Sequence, residues 1–93
     1  MTEKTIQVQN ISGIHARPAA RFVKLASQFQ CQIKLIKDNL EVDGKSILGI
    51  MSLAAEKGSK LTIKADGEKE LEAVEQLINL LKNIFKDEEN SQI

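Results

Sequence analysis

The chain has 93 residues, 42% of them hydrophobic and 28% charged, with thirteen basic and thirteen acidic side chains that cancel to a formal net charge of zero. A chain of this length makes one small domain that buries roughly 60–65% of the surface its unfolded form exposes. The charge balance gives no bulk attraction to nucleic acid or membrane. The single cysteine, Cys31, has no internal partner for a disulfide, and no apolar run approaches the ~20 residues of a membrane span. The polar opening Met1-Thr2-Glu3-Lys4-Thr5 is not a secretory signal, so a cytoplasmic location is expected.

Residues 4–9 alternate, Ile6 and Val8 against Thr5, Gln7 and Gln9, which predicts a first strand. Asn10 to Gly13 then form a loop leading to Gly13-Ile14-His15-Ala16-Arg17-Pro18-Ala19-Ala20, where the only histidine and the only proline lie three residues apart. Pro18 favours a first helical turn and biases Arg17 away from the helical region. A helix therefore starts near Pro18 and carries Ala19, Phe22, Val23, Ala26 and Phe29 on one stripe over about three turns.

Ile33 and Leu35 against Gln32 and Lys34 predict a second strand, Asp38-Asn39 a tight turn, and Leu40 and Val42 against Glu41 and Asp43 a third strand. Asp43-Gly44-Lys45-Ser46 is turn chemistry that ends in a helix-capping residue. A short apolar helix is expected over Ile47 to Ala55, closed by Lys57-Gly58. Leu61, Ile63 and Ala65 alternate in a fourth strand that Asp66-Gly67 ends. Leu71, Val74, Leu77, Ile78, Leu81 and Phe85 form the stripe of a long last helix. Residues 87–93 are acidic and polar, expected to be a frayed tail outside a single domain spanning 1–86.

The order β-α-β-β-α-β-α, with each strand half apolar, suits an antiparallel sheet with one wet face and one face covered by helices. The fold class is α+β, a two-layer sandwich.

The chemistry gathers at the first helix start. The leading amides of a helix lack internal partners and carry partial positive charge, which favours an anion there. Arg17 offers a planar guanidinium able to grip phosphate through two hydrogen bonds, and His15 offers a nitrogen nucleophile near neutral pH. A lone histidine or arginine is more often structural or merely solvated, but three such features within five residues describe a histidine that carries a phosphoryl group. One histidine and one cysteine do not make a metal site, and no nucleophile motif surrounds Ser12 or Ser52. No cofactor is expected.

Ser46 caps the second helix, a role worth about 1 kcal/mol. It is also a candidate phosphorylation site, since a helix N-terminus tolerates the roughly −1.5 to −2 charge of a phosphate. The apolar helix after it cannot bury every side. With Ile50 and Leu53 or Ala54 inward, Ile47, Leu48 and Met51 are left as a partner surface, unless a loop covers them. Gly49 inside that helix costs up to about 1 kcal/mol relative to Ala and permits close approach. Cys31 is read as a small core or edge residue.

These residues resemble one family closely. Gly13 to Ala19 is similar to the active-site motif of HPr, the histidine-containing phosphocarriers of the bacterial phosphoenolpyruvate-dependent sugar phosphotransferase system. Lys45 to Leu53 resembles the family's regulatory motif. The resemblance covers essentially the whole chain and implies an open-faced β-sandwich, a four-stranded antiparallel sheet with three helices on one side.

It further implies that His15 accepts phosphate on Nδ1 from phosphorylated Enzyme I and donates it to sugar-specific IIA domains. On this likeness the protein is a carrier rather than an enzyme, and Arg17 stabilises the phosphate. Ser46 would be the substrate of HPr kinase/phosphorylase, its phosphorylation hindering the relay and supporting corepression with a catabolite-control transcription factor. Ile47, Leu48 and Met51, with Ala20 and Lys24, would form the docking surface of a monomer. The alternative is a regulatory interaction module controlled by phosphorylation, in catabolite repression or in the nitrogen-linked branch.

Overall fold

The computed structural model describes residues 1–90, and the side chains of residues 1–88. Four strands, β1 (Thr2–Gln7), β2 (Gln32–Lys37), β3 (Leu40–Asp43) and β4 (Lys60–Asp66), form one antiparallel sheet in the order β1-β4-β2-β3. Three helices intervene: α1 (Ala16–Ala26), α2 (Ile47–Ser52) and α3 (Glu70–Asn90). The topology is the expected open sheet with helices. Ile33 and Leu35 of β2 and Leu61, Ile63 and Ala65 of β4 are all buried. Because side chains alternate across a strand, these five share the face on which the helices lie. Their neighbours Lys34, Thr62 and Lys64 stay partly open on the other face, where Thr5 and Thr62, opposite each other across β1 and β4, join their hydroxyls at 2.8 Å.

Several boundaries differ from the sequence reading. β1 starts and ends two residues earlier than expected, but Val8 is still tied to the β4 side by its N–H to the Ser59 carbonyl and by its own carbonyl to the Gly58 N–H, both 2.8 Å. α2 stops at Ser52 rather than running to Ala55, since Ala54 takes a left-handed φ of 50° that no helix continues through. The carbonyls released there are not wasted: Lys37 Nζ donates to those of Leu53 and Ala54, at 3.1 and 3.2 Å. Phe29 lies beyond the end of α1 and packs, partly buried, against the core. Leu71 is 54% exposed, so the buried stripe of α3 begins later, with Ala73, Val74, Leu77, Ile78, Leu81, Ile84 and Phe85.

The largest departure is at the C-terminus. α3 does not end near residue 86 but continues to Asn90, so residues 87–90, expected as a frayed tail, are helical. The remainder of that tail, residues 91–93, lies outside the described residues. Cys31 is a buried free thiol, as read.

Candidate functional site

α1 begins at Ala16, two residues before Pro18, with His15 as its N-cap residue in an extended conformation. Pro18 sits third in the helix and sacrifices nothing, since the first amides of a helix have no internal acceptor to lose. Arg17 is helical despite preceding a proline. The bias against that conformation yields to closure of the first turn, in which the Ala19 N–H donates to the His15 carbonyl at 3.1 Å.

The loop that delivers His15 is fixed from three sides. Gly13 has φ +65°, and a Cβ built on it would lie 2.3 Å from the Ala55 carbonyl oxygen. Only glycine fits there, both for its backbone angle and for that approach. Ile14 donates its N–H to the same Ala55 carbonyl at 2.9 Å. Asn10, fully buried, donates Nδ2 to the Gly13 carbonyl at 2.9 Å.

The His15 side chain is 40% exposed and makes no hydrogen bond to the amides of its own helix. Its Nε2 instead meets Glu88 Oε2 at 3.1 Å. Glu88 Oε1 accepts from Ser12 Oγ at 3.0 Å and from Asn10 Nδ2. Burial pushes the Glu88 carboxyl pKa up, but the hydrogen bonds from Ser12, Asn10 and His15 outweigh it and hold the group below its ordinary value. The residue is therefore an acceptor-only carboxylate at neutral pH.

Arg17 is exposed. With Arg21, Pro18, Ile84, Asp87 and Glu88 it lines a cleft of about 230 Å³ between the start of α1 and the end of α3. Two guanidinium and two carboxylate groups thus frame one opening beside His15. Among the described residues no group of three or more histidine, cysteine or acidic side chains is placed to hold a metal ion.

At the second site, Ser46 caps α2: its Oγ accepts from the Gly49 N–H at 3.0 Å. The preceding turn is tightened by the Asp43 carboxylate, which accepts from the Lys45 N–H at 2.9 Å, and by the Asp43 carbonyl, which accepts from the Ser46 N–H at 3.1 Å. Gly49 permits the close approach read from the sequence, because a Cβ there would come within 3.3 Å of both Cβ and Oγ of Ser46. Ile50 and Leu53 face the core. Leu48 is 81% exposed and Ile47 and Met51 about 40%. Ala20 and Lys24, one turn apart on α1, are exposed as well, and α1 packs against α2.

Sequence reasoning missed Asn10, Ser12 and Glu88 as neighbours of the histidine. The first two had a faint signal, two polar residues among the three that precede Gly13. Nothing local linked Glu88 to a residue 73 positions earlier.

A family model described as "PTS HPr component phosphorylation site" matches residues 2–83. A phosphocarrier protein HPr from Treponema pallidum is 42% identical over 88 residues, covering 95% of this chain and the whole of that protein. An HPr-like protein Crh from Bacillus subtilis is 44% identical over 77 residues, 83% of this chain and 91% of that one. Among solved structures, HPr from Thermoanaerobacter tengcongensis superposes with a TM-score of 0.86 at 46% identity, covering 92% of this chain and 97% of that one.

Proposed function

The chain belongs to the HPr phosphocarrier family, and from that membership we propose that it relays a phosphoryl group on His15 within a phosphotransferase system. The donor is phosphorylated Enzyme I and the acceptors are sugar-specific IIA domains, all in the cytoplasm. The observation that carries the reading is an accessible imidazole at the N-terminus of α1 that leaves the amides of its own helix alone. Those amides and the Arg17 guanidinium are the groups available to a phosphate.

In the relay, the Nδ1 lone pair forms the N–P bond as the bond between phosphorus and the donor breaks, its electron pair leaving with the donor. Arg17 and the first-turn amides offset the negative charge that arrives. The protein supplies a nucleophile and an anion site, while the partners supply the rest of the chemistry. Ile47, Leu48 and Met51, with Ala20 and Lys24, form the apolar and basic surface on which those partners dock.

The test is incubation with phosphoenolpyruvate and Enzyme I, which should place one acid-labile phosphate on the protein. A His15→Ala variant that still takes the label overturns the assignment.

A second reading is supported by the similarity to Crh relatives and by Ser46 standing at a helix N-terminus. In it, phosphorylation of Ser46 by an ATP-dependent kinase sets the regulatory state, consistent with catabolite repression. An acid-stable phosphoserine formed with HPr kinase/phosphorylase and ATP supports it, and a protein inert to that kinase removes it.

A further inference from the structure

Residues 2–83 match the family model, so Glu88 lies on a part of α3 beyond the matched region. Its carboxylate nevertheless reaches the centre of the site. It is held there by two donors of the His15 loop, Ser12 Oγ at 3.0 Å and the Nδ2 of the fully buried Asn10. The Asn10 amide is oriented by what it must donate to, the Gly13 carbonyl and the Glu88 carboxylate, and its Oδ1 stays buried without a partner among the described residues. Leaving a buried acceptor unmet costs about 1–3 kcal/mol. That cost is accepted in exchange for fixing the carboxylate on the histidine.

We propose that Glu88 is a positioning residue for His15: it binds the proton on Nε2 and so reserves the Nδ1 lone pair for phosphorus. This rests on the carrier reading above. A carboxylate only accepts, so a contact of 3.1 Å with Nε2 requires the hydrogen to be on that nitrogen. In the neutral ring the other nitrogen is then bare. When Nδ1 takes the phosphoryl group, the proton stays on Nε2 and the ring becomes cationic, facing the Glu88 carboxylate. Glu88 acts on the ring as the buried aspartate acts in a serine-protease triad, holding one tautomer and stabilising the cation that forms. The substituents of Nδ1 and Nε2 diverge, so the carboxylate attends one edge while Arg17 and Arg21, which line the adjacent cleft with Asp87, balance the added charge.

The experiment compares the full 93-residue protein with its Glu88→Gln and Glu88→Ala variants. Two readouts are taken: ¹⁵N and ¹H NMR of the His15 ring at pH 8, and the rate of labelling by phosphorylated Enzyme I. The parent is expected to show a hydrogen-bonded proton on Nε2 and an unprotonated Nδ1. Glutamine keeps an acceptor but no charge, so Glu88→Gln retains that tautomer and is labelled about threefold more slowly. Glu88→Ala loses the slowly exchanging Nε2 proton and is labelled about tenfold more slowly. A Glu88→Ala protein with the parent's spectrum and rate overturns the role of Glu88 alone, as does a parent ring protonated on Nδ1. A parent that takes no label overturns the carrier reading itself.

Discussion

The N-termini of α1 and α2 present the same backbone problem and solve it in opposite ways. At α2, Ser46 turns its own hydroxyl back to the Gly49 N–H at 3.0 Å, so the helix consumes its own capping group. At α1, His15 occupies the equivalent N-cap position without a side-chain cap, and its ring is held outward by Glu88. The self-capped end gains stability from its own sequence. The other end forgoes that gain and leaves its first amides without a side-chain cap. α3 supplies a third case, in which Glu70 accepts from the Gly67 N–H at 3.3 Å, the Thr2 hydroxyl at 2.6 Å and the Met1 amino group at 2.7 Å. There the first helical residue does not cap the helix but fastens β1 and the preceding turn to its start.

The contrast can be broken most forcefully at Gly13. A Gly13→Ala substitution combines a left-handed backbone with a Cβ 2.3 Å from a carbonyl oxygen, and is expected to cost about 3 kcal/mol. Urea denaturation should show it, with phosphoryl acceptance falling in parallel as the His15 loop shifts. Arg17→Ala removes the guanidinium but not the helix end. It should slow labelling of His15 about tenfold while leaving the urea midpoint near the parent's.

Ser46→Ala removes the self-cap and should lower stability by about 1 kcal/mol. Ser46→Asp keeps an acceptor at the same position, so its stability should stay within about 0.5 kcal/mol of the parent while its relay slows. Equal relay rates for Ser46→Asp and parent would detach this helix end from regulation.

The smallest expected effect is at Glu70, whose carboxyl is lowered to about 2 from an ordinary 4.5, first by the hydrogen bond from the Met1 amino group, then by those from Thr2 and the Gly67 N–H. A depressed folded-state value means that its contribution is present above the unfolded pKa and is lost as pH falls. Stability should therefore decline between about pH 4.5 and pH 2, and a Glu70→Gln protein should lose part of that slope in acid-unfolding curves.

Most of the fold was legible because it rests on local periodicity. Alternation marks β2, β3 and β4 residue by residue, and the stripe from Val74 to Phe85 marks α3. Ser46 could be read as a cap because capping needs only the three residues that follow. The errors came where tertiary packing overrode local preference. α2 ends early because Ala54 turns left-handed, and Leu71 fits the α3 stripe by spacing yet faces outward. Arg17 entered the helix against the bias of the proline after it.

The sequence by itself determined which segments become strands and helices and which faces they bury, and it brought a histidine, an arginine and a helix start within five residues, because those relations run over a few bonds of chain. Only the tertiary structure decided what faces the imidazole. Glu88 reaches His15 through the extra length of α3 and the packing of α3 on α1, a relation set by how whole helices lie together and written in no short stretch of residues.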